Sequence, residues 1–314
     1  MVAAAGRALT NMQVLQKPTH PLELSNDGEL ELYFIGTGSA FARTLNQNNI
    51  IAIKGNDHVL VDCGSKCCQA LHDRGLHISE VKNFLITHSH YDHIGGLEEV
   101  QLFGRYVSQT KPNMIVTEAY QDILWNQSLR GGSEMSESGG IDFPDLWEIQ
   151  RPTLVPDAPR ETWETNIGNL NLKMPRTMHF PDDAPSWRES HWSCAVIFDE
   201  RILFTSDTRF DEDLLFSFDD RYDFDIIFHD CQLFTGGVHA SLNELATLPP
   251  SMKSRMVLMH LRRQLARLRA ASNERRIPRL GARRSQLRLR RARRRGSLTS
   301  RSRLSLPGPA FCQR

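Results

Sequence analysis

Between Thr87 and Gly96 the chain places His88, His90, Asp92 and His93 within six residues, in the order H-x-H-x-D-H. Neutral imidazole and carboxylate are the usual ligands of a catalytic zinc ion. A lone histidine is ordinarily a satisfied structural residue, but a core position does not tolerate four unpaired polar side chains at this spacing. The segment follows the apolar run Phe84-Leu85-Ile86 and opens a glycine-bearing turn at Gly95-Gly96. A strand end followed by a turn brings the four side chains together, so a metal centre is expected there.

Further residues of the same chemistry stand after apolar runs. Asp62 follows Leu60-Val61, and His179 sits in Met178-His179-Phe180. Asp207 closes Ile202-Leu203-Phe204-Thr205-Ser206, and His260 follows Met256-Val257-Leu258-Met259. In this order, behind H-x-H-x-D-H, residues 31–260 resemble the metallo-β-lactamase fold superfamily. The resemblance implies an α/β fold, an αββα sandwich with the metal cleft at one edge. It also implies two divalent ions, zinc first and manganese as the alternative. His88, His90 and His179 would hold one ion, Asp92, His93 and His260 the other, and Asp207 would bridge them. Asp92 is counted with the catalytic set as well. Asp62 is expected to orient a ligand histidine rather than to bind metal. Two ions about 3.5–4 Å apart activate water and clamp both oxygens of an in-line displacement. The bridging aspartate is implied for phosphodiester and thioester chemistry rather than lactam hydrolysis.

A second constellation is His229-Asp230-Cys231-Gln232 followed by Gly236-Gly237-Val238-His239. It resembles the ribonuclease Z branch, in which an acid pairs with a loop histidine that protonates the leaving oxygen. Asp230 and His239 would take those roles, with Asp in place of the usual Glu. The bland reading makes His239 an ordinary residue ahead of a helix at 241–245. The Ser-Asp-Thr-Arg run at 206–209 and a segment inserted at 118–160 are similar to the small phosphodiesterases of that branch. These include the phage anti-Pycsar enzymes, and the likeness implies hydrolysis of a 3′,5′-cyclic mononucleotide by a homodimer. Two alternatives stay open. One is a ribonuclease-Z-type tRNA 3′ endonuclease. The other is an inactive chain of this fold that binds nucleic acid through its tail.

The positioning elements are legible from periodicity. Strands are predicted at 30–35, at 49–53 and 58–62 as a hairpin, at 83–87, 113–117, 170–174, 194–198, 202–205 and 224–228. Helices are predicted at 65–76 and 97–107. Gly36-Thr37-Gly38-Ser39-Ala40 reads as a tight loop, and in the family such a loop borders the metal cleft, which implies that Ser39 or the nearby backbone amides face substrate. Residues 118–160 read as irregular, a lid or dimer contact. Their aromatics Tyr120, Trp125, Phe143 and Trp147 favour core or interface over base stacking.

Net charge hides a division. Residues 261–314 carry 18 Arg, no Lys and one Glu, or +17, which leaves 20 basic and 36 acidic residues, or −16, for residues 1–260. An acidic body disfavours a large polyanion, because phosphate contacts dominate nucleic-acid affinity. The expected organisation is an N-terminal extension at 1–28, a hydrolase domain at 29–261 and an Arg-rich tail at 262–314. Three readings of the tail stand: a nucleic-acid-binding arm, a disordered extension, or translation in a shifted frame. No apolar run reaches the roughly 18 residues of a membrane span. Six cysteines without a C-x-x-C pair read as reduced thiols of a cytoplasmic protein.

Overall fold

A computed structural model describes residues 21–261, together with the backbone of three short strands, Met12–Leu15, Arg279–Leu280 and Gln286–Leu289. Two sheets stack face to face, with helices on both outer faces. The first runs in the order Met12–Leu15, Gln286–Leu289, Glu31–Phe34, Ile50–Lys54, Asp57–Val61, Asn83–Leu85, Asn113–Ile115, Glu148–Gln150. The second runs Thr153–Leu154, Thr162–Ile167, Leu170–Pro175, Val196–Phe198, Ile202–Phe204, Ile226–Asp230, Met256–Met259, Arg279–Leu280.

Strand residues alternate between faces, and here both faces are covered. Ile50 and Ala52 join the apolar layer between the sheets, whereas Ile51 and Ile53 pack under the helices of the first sheet. Phe34 and Phe228 meet across the inter-sheet layer with ring centroids 4.8 Å apart. Burial on both sides explains why these strands read as continuous apolar runs. The outer layer of the second sheet is closed by helix Glu212–Tyr222, through Leu214, Leu215 and Phe218. Asp211 caps that helix, its side chain accepting from Leu214 N at 2.9 Å.

Two sets of parallel strands decide where chemistry can occur. Asp57–Val61, Asn83–Leu85 and Asn113–Ile115 run parallel, as do Ile202–Phe204, Ile226–Asp230 and Met256–Met259. Their carboxyl ends therefore lie on shared edges, the usual place for a ligand cleft in open α/β sheets.

The sandwich agrees with the expected fold. The predicted hairpin forms as Ile50–Lys54 and Asp57–Val61, and the helix expected at 65–76 is shorter, Cys67–His72. Residues 118–160 are not irregular. Helices Glu118–Leu124 and Phe143–Leu146 cover the first sheet, and Glu148–Gln150 joins its edge. Tyr120, Trp125, Phe143 and Trp147 are buried there. The first of these helices runs on through a π-turn, Trp125–Leu129, to Arg130–Ser133, and the wider turn breaks the 3.6-residue period that would mark it in sequence; the aromatics belong to the core. The hairpin Met135–Ser136/Gly139–Gly140 is exposed, with Met135 at 76%.

The N-terminal extension and the tail lie mostly outside the described residues. Met12–Leu15 and Gln286–Leu289 nevertheless pair with each other and extend the first sheet beside Glu31–Phe34, while Arg279–Leu280 extends the second. An open sheet edge offers main-chain donors and acceptors that extended backbone can satisfy whatever its side chains. Among the described residues no helix is long and apolar enough to cross a membrane, and Cys63, Cys67, Cys68, Cys194 and Cys231 are unpaired.

Candidate active site

Every predicted site residue comes to one end of the sandwich. Asp62, His88, Asp207 and His260 each stand one to three residues past a strand, and Asp230 ends one. His179 lies four residues past Leu170–Pro175. The short helix Tyr91–Ile94 turns Asp92 and His93 inward, with His90 at its N-cap. This turn needs Gly64, because a Cβ there would lie 2.0 Å from Asp92 O. Asn49 ties the same loops, donating from Nδ2 to Asp92 O at 3.1 Å and accepting from Gly64 N at 3.0 Å.

Asp207 is the hub. Its Oδ2 lies 3.3 Å from His260 Nε2, 3.4 Å from His93 Nε2, 3.9 Å from His88 Nε2, and 4.0 Å from both His179 Nε2 and His239 Nδ1. Asp92 Oδ2 is 3.4 Å from His93 Nε2 and 3.6 Å from His260 Nε2. Three sets of ligand atoms emerge among the described residues, each within 4.8 Å of one another: His88, His90, His179 and Asp207; Asp92, His93, Asp207 and His260; and Asp207, Asp230, His239 and His260. The first two are the sets expected from sequence, and the third brings the Asp230–His239 pair against the same hub.

The residues fit a pair of divalent cations. Asp92 Oδ2, His93 Nε2, Asp207 Oδ1 and His260 Nε2 are buried without a hydrogen-bond partner among the described residues. Buried orphans of this kind are costly unless something unseen satisfies them. His90 Nδ1 stands 2.9 Å from His88 Nε2 and 3.2 Å from His179 Nε2, which turns three ring nitrogens toward one point. The other ring nitrogens are occupied in a way that frees the inward ones. His179 Nδ1 donates to Val238 O at 2.8 Å, and His93 Nδ1 donates to Asp62 Oδ2 at 2.7 Å. Such outer partners fix tautomer and ring orientation.

The charge states of His88, His90 and His179 suit cation binding, whereas the carboxylates of Asp62, Asp207 and Asp92 outweigh burial and raise His93 well above its ordinary range, a proton that a bound cation would have to displace. Burial holds the His88 and His90 imidazoles below their ordinary range. It lowers His179 to about 3, against the pull of Asp207. These rings are neutral at neutral pH, the form that binds metal. Burial alone would raise Asp207, but the surrounding histidines His260 and His93 outweigh it and keep the carboxylate ionised.

Asp62 is wholly buried with φ 64° and sits behind His93, outside both ligand sets. It also accepts from Thr87 N at 2.8 Å and from Thr87 Oγ1 at 2.9 Å. Thr87 Oγ1 in turn meets Ser206 Oγ at 2.8 Å, which joins the two sheets beneath the site. Sequence reading missed Thr87, Ser206 and Asn49. The signal for the first two was adjacency to His88 and Asp207; for Asn49 there was none. Asp62, Ser206 and His260 all have φ between 52° and 64°, a left-handed conformation that non-glycine residues adopt at a cost and that clusters at functional sites.

Asp230 and His239 are brought together as expected. Asp230 Oδ2 accepts from His239 Nδ1 at 2.8 Å and from Thr208 N at 3.3 Å. Aspartate in place of glutamate therefore reaches the ring. Burial opposes charge on His239, but the bond to Asp230 and the field of Asp207 raise it to about 9. Its side chain is 19% exposed and opens toward the cleft, whereas Asp230 is fully buried. Ser241, not His239, caps the following helix Leu242–Thr247. The Gly36–Ala40 loop borders the site through the pairing of Gly38 with Leu261, beside His260. Ser39 Oγ is buried there without a partner among the described residues. Phe180, 38% exposed, packs on His90 and His179 with ring centroids 4.9 and 4.8 Å away.

Comparison with known proteins identifies the family and the fold. The sequence profile described as Anti-Pycsar protein Apyc1 matches residues 30–279. The chain is 35% identical over 242 residues to the Anti-Pycsar protein Apyc1 of Bacillus phage vB_BsuM-Goe3, covering 73% of this chain and 88% of that one. It is 33% identical over 232 residues to the protein so named from Paenibacillus xerothermodurans, covering 74% and 87%. Among solved structures, a diphosphatase of the PhnP family superposes with TM-score 0.59 at 14% identity, over 83% of this chain and all of that one. The metallo-β-lactamase fold protein YhfI of Bacillus subtilis gives 0.58 at 13%, over 82% and 98%. The short form of human tRNase Z gives 0.51 at 17%, over 74% and 93%. The chain has the metallo-β-lactamase fold and belongs to the Anti-Pycsar Apyc1 family.

Proposed function

We propose that this chain is a metal-dependent phosphodiesterase that opens a 3′,5′-cyclic mononucleotide to the mononucleotide. The observation that carries the reading is the placement of Asp207 Oδ2 among five imidazoles, with the His239–Asp230 pair at its flank. Family membership and relatives named Anti-Pycsar protein support it.

His88, His90 and His179 would hold one divalent ion, Asp92, His93 and His260 a second, with Asp207 between them; zinc and manganese both suit this donor set. When bound, such a pair supplies an activated water and positive charge against the phosphoryl oxygens. The chain's own residues do the rest. Asp62 and Val238 O fix His93 and His179 as rings with bare inward nitrogens. His239 gives its Nδ1 proton to the bond with Asp230 and keeps the Nε2 proton for transfer. As the bond from phosphorus to the ribose oxygen breaks, that proton passes to the leaving oxygen. Water supplies the new P–O bond. A positioned general acid of this kind contributes about 10²- to 10⁴-fold.

A tRNA substrate fits less well. The −16 of residues 1–260 repels a large polyanion, whereas a small diester asks little of the surface. The expected homodimer is tested by a solution mass measurement, and the exposed hairpin at Met135–Gly140 is where a partner contact would be sought first. The functional test offers the metal-loaded protein 3′,5′-cyclic mononucleotides and precursor tRNA side by side. Opening of the cyclic nucleotides alone, abolished by His90→Ala, is the expected result. Cleavage of tRNA alone would overturn the proposal.

A further inference from the structure

His229 is a buried titratable group that the mechanism above leaves unused. It lies in strand Ile226–Asp230, is fully buried, and its strand neighbour Ile227 belongs to the apolar layer under the helices. An imidazole in such surroundings is costly unless its polar atoms are engaged. Only one is. Nδ1 lies 2.8 Å from Asp230 O and 3.1 Å from Asp230 Oδ1, while Nε2 is buried without a partner among the described residues. Both neighbours of Nδ1 are acceptors, so Nδ1 carries the hydrogen. The nitrogen thus grips the main chain of Asp230 and faces the carboxylate oxygen turned away from His239.

The same carboxylate is engaged at its other oxygen by His239 Nδ1 and Thr208 N. Burial would push Asp230 toward its neutral form, and the imidazoles His229 and His239 hold it ionised instead. Oδ2 is hydrogen-bonded, whereas Oδ1 makes no hydrogen bond among the described residues and has His229 Nδ1 beside it at 3.1 Å. His229 thus holds Asp230 through its main-chain oxygen and faces its free carboxylate oxygen, and the direction in which His239 faces depends on Asp230.

We propose that His229 is a positioning residue for proton donation, acting through Asp230 to aim His239. This rests on the phosphodiesterase reading. Two variants test it. His229→Leu fills similar space and removes the donor. His229→Asn places an amide N–H near the position of Nδ1 and should restore it. Two substrates separate the roles. A 3′,5′-cyclic mononucleotide has an alkoxide leaving group that needs a proton, whereas a p-nitrophenyl phosphodiester leaves as a stable anion and needs none.

The expected result is a kcat about tenfold lower or worse for His229→Leu with the cyclic nucleotide, as for partial loss of a general acid. KM, metal content and turnover of the p-nitrophenyl ester stay near wild type, and His229→Asn recovers most of the loss. Equal loss on both substrates, or loss of metal, would make His229 merely structural and overturn the inference while leaving the function intact. If His229→Leu does not fold, His229→Asn alone decides. Cyclic-nucleotide turnover near wild type, with the leaving-group preference kept, supports the role, and selective loss of that turnover refutes the donor assignment. Failure of the wild-type protein to open any cyclic nucleotide overturns inference and function together.

Discussion

Asp62→Asn changes one atom in the wall behind the metal site and should remove one ion selectively. The carboxylate uses Oδ1 to accept from Thr87 N at 2.8 Å and Oδ2 to accept from His93 Nδ1 at 2.7 Å. In asparagine the carbonyl can keep the first bond, but an amide N–H then faces the N–H of His93. The ring escapes only by moving its proton to Nε2, and a protonated Nε2 cannot bind metal. Wild type makes a charge-assisted bond here, worth about 1.5–3 kcal/mol. Loss of an outer partner typically costs about 10- to 100-fold in metal affinity, or about 1.4–2.7 kcal/mol. The two estimates agree. Titrating apo protein with zinc in a calorimeter should show one equivalent unchanged and the other weakened by that factor, with circular dichroism confirming the fold. Two equivalents of wild-type affinity would refute the tautomer reasoning. Loss of both would show that Asp62 supports the fold rather than one ligand.

Three other outcomes follow from geometry away from the reacting atoms. Arg160→Met should cost about 3–5 kcal/mol in denaturant unfolding, since it strands Asp211, which Arg160 holds at 2.7 and 3.0 Å in a buried pair that also anchors a helix cap; a loss below about 1 kcal/mol would contradict the buried-pair assignment. His58 is held below its ordinary range by burial and by the Lys82 charge, and its Nε2 accepts from Lys82 N at 3.0 Å. Its folded pKa lies below the unfolded value of about 6.5, so its contribution is present above that pH and is lost as pH falls below it. Metal-loaded wild type should therefore lose more thermal stability between neutral and mildly acidic pH than His58→Gln, and parallel curves would count against this. Gly64→Ala forces a Cβ against Asp92 O, and metal analysis should show weakened binding at the Asp92, His93 and His260 set, with wild-type stoichiometry excluding the clash.

The sequence by itself determined the candidate ligand types, because H-x-H-x-D-H is local. A strand end, a turn and one short helix suffice to converge His88, His90, Asp92 and His93. It also determined the strands, since burial on both faces writes long apolar runs such as Ile50–Ile53. The tertiary structure decided what depends on residues far apart meeting at strand ends. Asp207 is a hub only because parallel strands from the second sheet end opposite those of the first. The Thr87–Ser206 contact crosses 119 positions, and no local pattern encodes it. The left-handed turns at Asp62, Ser206 and His260 carry no glycine to mark them, because the packed surroundings rather than the residue type impose them. The same holds for residues 118–160, whose aromatics became core once the first sheet offered a face to cover.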